Sequence, residues 1–275
     1  MLMNSAGVKK CNPFLKWAGG KRWLIENYAD IFPTFSGKYI EPFLGAGAVF
    51  FHLCPDHAFL SDTNYELIET YRAIRDNWRL VLKHLKRHKH NHSDSYYYKV
   101  RSSSPRTPAT MAARFIYLNR TCFNGIYRVN REGKFNVPRG TRNTVIFKTD
   151  DFELLSEILQ NVEIKVCDFE EAIDRAVEGD LVFADPPYTV RHNNNAFVKY
   201  NEKLFSWNDQ VRLANCLRKA ANRGVKIIAT NAYHPSVIEL YKGVFELRPI
   251  YRKSQISADR KYRGKFEELL IQRTT

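Results

Sequence analysis

With 275 residues, of which 44% are hydrophobic and 13% aromatic, the chain can bury a sizeable core, which excludes a disulfide-stapled mini-protein and an intrinsically disordered segment. Its 43 lysines and arginines against 29 aspartates and glutamates leave a formal net charge of +14, which favours nucleic acid as partner over an anionic membrane surface. The five cysteines are widely spaced, odd in number and without a C-x-x-C pair, fitting neither a disulfide framework nor a zinc site. Reduced thiols in a cytoplasmic protein are expected. The longest apolar stretch, around Phe43 to Leu53, is interrupted by glycines and too short to cross a bilayer, and the N-terminus lacks an apolar signal core, so a soluble, non-exported protein is expected.

In chain order, Gly37 precedes a short apolar strand, Tyr39 to Phe43, followed by the glycine turn Leu44-Gly45-Ala46-Gly47 and an apolar helix through Leu53. Ala58 to Ser61 reads as a second strand ending at Asp62. From about Tyr65 to Lys148 the pattern turns helical and loop-like, rich in Arg, Lys, His and Tyr, and reads as an insertion. Strands resume at Val162 to Asp168, at Leu181 to Ala184 and at Val225 to Tyr233. The last two are separated by a helix that starts at Ser206 with Asp209 three residues on, carries Val211, Ala214, Leu217 and Ala221 on its apolar side, and stops at Gly224. Two further runs, Phe245 to Ile250 and Phe266 to Gln272, are expected to close one edge as an antiparallel pair. The alternation predicts an α/β, doubly wound, mostly parallel sheet. Its discontinuous domain spans 1–64 and 149–275, and the inserted, mainly helical domain spans 65–148.

The positive charge is concentrated in that insertion. Between Lys99 and Arg142 lie ten basic residues and a single acidic one, Glu132. The basic run Lys83 to His92 reads as a solvated helix end, and Tyr96 to Tyr98 as packing residues.

Asp185-Pro186-Pro187-Tyr188 follows a buried-type strand, at the carboxyl end where open α/β sheets place ligands. A nucleobase amino group is a poor nucleophile because its lone pair is delocalised into the ring. An Asp carboxylate and a prolyl carbonyl are both acceptors and can bind its two hydrogens, building electron density on nitrogen, while Tyr188 offers an aromatic face. The prolines fix the backbone and cannot donate. Taken alone the tetrapeptide is equally a proline turn after a strand. Gly45 and Gly47 would let a ligand approach the backbone, but the third glycine of a dinucleotide fingerprint is missing because position 50 is Phe50. Asp62, ending the next strand, is placed to accept from ribose hydroxyls.

Taken together, "FLKWAGGK" (Phe14 to Lys21), "EPFLGAG" (Glu41 to Gly47), "LSDTN" (Leu60 to Asn64), "NRTCFNGIYRVNREGKFNVPRG" (Asn119 to Gly140), "DPPY" (Asp185 to Tyr188) and "FEELL" (Phe266 to Leu270) resemble the Dam-type, D12 class, alpha group of DNA adenine-N6 methyltransferases. The resemblance covers nearly the whole chain. It implies a seven-stranded methyltransferase sheet, S-adenosylmethionine as methyl donor, duplex DNA as substrate, no metal or second cofactor, and a monomer without obligatory protein partner. It implies cofactor contacts from Trp17, Lys21, Glu41, Phe43, Gly45, Gly47, Asp62, Asp168 and Asp185, with Asp185, Pro186, Pro187 and Tyr188 acting on an adenine flipped out of the helix. The family reads its site with a hairpin, which Phe123, Asn124, Ile126 and Arg128 match, and Lys16 matches a lysine on the first base. Arg and Lys are the usual readers of guanine, and Ile126 can wedge against a displaced base. Arg131, Lys134, Arg139 and Arg142 are expected on phosphates. GATC is the leading expectation for the site, from Lys16 and Arg128 together. Ile256 to Lys265, polar between two strands, reads as a mobile loop near the DNA; Tyr127 and the segment Ser257 to Gly264 are the departures from the family pattern.

Three rival readings are separable. A cytosine amino-methyltransferase commonly carries Ser at the first catalytic position, where this chain has Asp185; an RNA methyltransferase has less use for a base-reading insertion; and a DNA-binding protein that lost turnover need not retain Lys21, Asp62, Asp185 and Tyr188.

Overall fold

The computed structural model describes residues 11–130, 132–190, 205–253 and 265–274. Its strands β1 (Tyr39–Glu41), β2 (Ala58–Asp62), β3 (Val162–Val166), β4 (Leu181–Ala184), β5 (Lys226–Ala232), β6 (Glu246–Lys253) and β7 (Lys265–Arg273) form one seven-stranded sheet in the order β3-β2-β1-β4-β5-β7-β6. β1 pairs in parallel with β2 and β4, and β4 with β5, whereas β7 is antiparallel to both β5 and β6. This is the mostly parallel sheet expected, with its antiparallel pair at one edge. Every residue of β1 and β4 is buried, as befits central strands covered on both faces. The strand order reverses between β1 and β4, the place where such sheets open a crevice for ligands.

Two strands stop two residues short of their expected ends for local reasons. β1 stops at Glu41 because Pro42 has no N–H for the ladder. β3 stops at Val166, and Asp168 instead accepts from the Glu170 amide at 3.0 Å and caps the helix Phe169–Asp174.

The described residues pack as two compact units, the first within Met1–Ile25, Leu44–Asp56 and Asp62–Val166, the second within Glu26–Phe43, His57–Ser61 and Cys167–Thr275. In the first, the long helix Tyr65–His90 packs along Pro108–Thr121. Asn64 caps the long helix through the Leu67 amide, and Asn77, at φ −156°, breaks it and caps its second half through the Leu80 amide at 3.1 Å. Arg120 is fully buried there. Its guanidinium grips Asp150 with bonds of 2.6 and 2.8 Å and donates also to the carbonyls of Phe14 and Val145. Arg114 likewise turns inward, to the Val100 and Arg101 carbonyls and Glu66. Two of the ten basic residues between 99 and 142 therefore hold the unit together instead of contributing to a charged surface. His88, in the basic run, is also partly buried, stacked on Tyr117 at 4.9 Å, so that run is only in part a solvated helix end.

In the second unit, Ile40, Val182, Ile227, Leu217 and Leu213 pack in one apolar core, each burial contributing about 1.5–3 kcal/mol. The helix Trp207–Asn222 begins with the expected capping box of Ser206 and Asp209 and gives way at Gly224, whose φ of +85° suits a residue without Cβ. No described helix is long and apolar enough to cross a membrane.

Candidate active site

Asp185 directly follows β4 in the second unit, so a fully buried strand delivers it to the sheet's carboxyl edge. The Thr230 hydroxyl, from neighbouring β5, donates to Asp185 Oδ1 at 2.7 Å and orients the carboxylate. The Pro187 carbonyl accepts from Gln210 Nε2 at 3.2 Å, and Asn231 Nδ2 holds that carboxamide through Gln210 Oε1 at 2.8 Å. Among the described residues no donor reaches the Pro186 carbonyl. The Tyr188 hydroxyl donates to Glu268 Oε2, on β7, at 2.6 Å; burial, with Asp185 and Glu268 nearby, pushes the phenol well above its ordinary pKa and keeps it protonated. The segment thus carries an oriented carboxylate, a prolyl carbonyl and an anchored aromatic ring, the elements for gripping an amino group and stacking on its base.

The same unit holds three further expected residues. Glu41 is buried and accepts from the Tyr39 hydroxyl at 2.9 Å. Phe43 stacks on Phe169 with centroids 5.5 Å apart. Asp168 pairs with Arg212 at 2.9 Å, and that guanidinium, 4.3 Å over the Phe169 ring, also reaches Glu170 and Asp209.

The first unit gathers the remaining residues expected on the cofactor side. Asp62 Oδ2 accepts from the Gly45 amide at 3.2 Å and Oδ1 from the Asn64 amide at 2.9 Å; burial raises its carboxyl pKa, while bonds from Asn64, Gly45 and Thr63 oppose the rise. Gly45 has φ +47°, and a Cβ built on it would lie 2.7 Å from Trp17 Cδ1, so the indole occupies the space its missing side chain leaves. Gly47, at φ +63°, meets Tyr71 and Phe51 in the same way. The glycines of this turn thus admit the protein's own aromatics. Gly45→Ala should cost about 1–2 kcal/mol from the left-handed backbone alone, and more through the displaced indole, measured by denaturant unfolding. Lys21 is 4% exposed, and its ammonium donates to the Gly19 carbonyl at 3.0 Å.

Around the expected base-reading segment the structure refines the sequence reading. Phe123–Gly125 is a single 3-10 turn with Asn124 at φ +55°, and the hairpin follows it, closed by the Val129↔Phe135 bridge and by bonds from the Asn130 amide to the Lys134 carbonyl and from the Asn136 amide to the Arg128 carbonyl. Phe123, Asn124, Arg128 and Lys134 are exposed, and Ile126 is half-buried. Arg128 Nε donates to Asn136 Oδ1 at 3.0 Å across the hairpin, Lys134 pairs with Glu132, and Arg139 pairs with Asp94 at 3.0 Å. Lys16 is tied inward, its backbone exchanging two bonds with the Asn119 side chain and its ammonium donating to the Arg120 carbonyl at 2.9 Å. Burial first, then Arg142, lowers its pKa. The expected contact at Arg131 and the loop Ile256 to Lys265, except the backbone of Lys265, lie outside the described residues.

The family model for D12 class N6 adenine-specific DNA methyltransferases matches residues 17–257. The chain belongs to this class. It is a DNA methyltransferase specific for adenine N6, with DNA as substrate and a methyl donor as co-substrate. It is 38% identical to a Type II methyltransferase of Lactococcus lactis subsp. cremoris, covering 98% of each chain. A Type II methyltransferase of Methanocaldococcus jannaschii is 34% identical over 94% of this chain and 98% of its own, and a DNA adenine methylase of Vibrio cholerae 31% identical over 96% of each.

Sequence reasoning missed the residues that brace this D12 enzyme's candidate catalytic segment: Thr230, Gln210, Asn231 and Glu268. A signal was present for two of them. Thr230 and Asn231 interrupt an otherwise apolar, buried strand, and a polar residue there needs a partner.

Proposed function

We propose that this methyltransferase takes its methyl group from S-adenosylmethionine and places it on an adenine rotated out of duplex DNA, reading a short site, GATC as the leading candidate, with residues 65–148. The single observation that carries the reading is the pair of acceptors at the end of β4: Asp185, oriented by Thr230, and the Pro186 carbonyl, which no described donor reaches. The donor-side residues fit the cofactor, because the buried Lys21 ammonium suits the methionine carboxylate and the half-buried Asp62 carboxylate suits ribose hydroxyls. When bound, S-adenosylmethionine supplies an electrophilic methyl group on sulfonium sulfur. Asp185 and the Pro186 carbonyl accept hydrogen bonds from the two amino hydrogens, restoring lone-pair density to the nitrogen; one of those protons passes to solvent as the nitrogen gains its methyl group, and Tyr188 stacks on the extruded base. No covalent enzyme intermediate is required.

Incubation with methyl-tritiated S-adenosylmethionine and unmethylated genomic DNA should place label in N6-methyladenine. Label confined to cytosine, or obtained only with RNA, would reject the proposal. Arg128→Ala should relax preference at one base pair by about 1–3 kcal/mol of discrimination, read by sequencing modified adenines in a methylation-free host expressing the variant. A uniform loss across all sites would make Arg128 a phosphate contact.

A further inference from the structure

Tyr127 lies between Ile126 and Arg128, both assigned above to the DNA. Its ring stacks on the Trp17 indole, with centroids 6.0 Å apart and planes 18° from parallel, and packs against Phe115 at 5.2 Å and Phe135 at 5.8 Å. Its hydroxyl donates to Glu66 Oε2 at 2.9 Å, while Glu66 Oε1 accepts from Arg114 at 3.2 Å. Trp17 in turn fills the space over Gly45, whose amide donates to Asp62, and the Tyr71 hydroxyl holds the Gly45 carbonyl at 3.1 Å. One continuous series of contacts therefore runs from the base-reading segment through Tyr127 and Trp17 to the donor-side carboxylate. A ring of this size, anchored at its hydroxyl and covered on several sides, transmits a shift of its backbone to the indole it stacks on.

We propose that Tyr127 is a positioning residue that couples DNA reading to methyl-donor binding. Seating Ile126 and Arg128 on the correct site fixes the Tyr127 ring, which holds the Trp17 indole over Gly45. The coupling is reciprocal, so donor binding tightens the grip on the correct site by the same factor. The inference rests on the donor assignment of Trp17 and Asp62 and on the DNA assignment of Arg128.

Calorimetric titration with S-adenosylhomocysteine tests it, in the presence of a duplex carrying the site identified by sequencing and of an equally long duplex lacking it. The ratio of the two dissociation constants is the quantity read. For the wild-type protein the site duplex should tighten binding by at least about fivefold. Tyr127→Met, which fills the volume without a ring, should bring the ratio to within about twofold of one; Tyr127→Leu replaces it should that variant not fold. Tyr127→Phe, which keeps the stack on Trp17, should restore most of the ratio. A wild-type ratio of one overturns the proposal. So does an unchanged ratio in Tyr127→Met, including the case where binding weakens equally with both duplexes, because that is simple structural support. Failure of the wild-type protein to bind S-adenosylhomocysteine with or without duplex overturns the donor assignment itself, and the coupling with it.

Discussion

Asp185→Asn should lose about 10²–10³-fold or more in turnover while duplex binding survives, measured by single-turnover methylation and by fluorescence anisotropy on the same labelled duplex. The substitution preserves size and shape, so the loss reports chemistry. In the native enzyme Thr230 donates to Asp185 Oδ1. An asparagine whose oxygen stays on Thr230 must present its NH2 group elsewhere, and where the amino hydrogens arrive a donor would replace an acceptor. Turnover within tenfold of wild type would remove Asp185 from the catalytic role. Thr230→Val should have a smaller effect in the same direction, since it frees the carboxylate to rotate without removing it.

Asp150→Ala should destabilise the protein by about 3–5 kcal/mol, because it leaves the guanidinium of Arg120 buried without its counter-charge. Both side chains are almost wholly buried, at 0% and 4% exposure, so solvent does not screen the pair. Replacing both partners by apolar residues, Arg120→Met with Asp150→Leu, should recover part of the loss. Recovery stays incomplete because Arg120 also satisfies the carbonyls of Phe14 and Val145. Equilibrium unfolding in urea measures both variants, and a loss below about 1 kcal/mol for Asp150→Ala would show that water reaches the pair.

The strands, the Ser206–Asp209 capping box and the antiparallel edge pair were legible because each rests on local chemistry: apolar runs, a side-chain cap, turn residues. The placement of Asp185 after a buried strand was legible for the same reason. What holds Asp185 to Tyr188 in place was not, since Thr230 is 45 residues away and Glu268 is 80 away, and only the sheet order brings them near. The basic stretch misled in a different way. Charge counts do not distinguish an arginine facing phosphate from one buried against a carboxylate, and Arg114 and Arg120 are of the second kind. Tyr127 packs against partners scattered from Trp17 to Phe135, which no local pattern could reveal.

The position of β7 sets an order of assembly. It pairs with β5 through six residue pairs from Ile227↔Arg273 to Ala232↔Glu268, and with β6 on its other side, although it follows both in the chain. During synthesis, β4 and β5 can therefore meet, and Asp185 can find Thr230, while the residue that will anchor Tyr188 has not yet emerged from the ribosome. A nascent or prematurely terminated chain that stops before Glu268 carries the carboxylate but lacks the anchor for its aromatic ring. Methylation by such a chain is expected to be weaker than by one whose translation has passed the seventh strand.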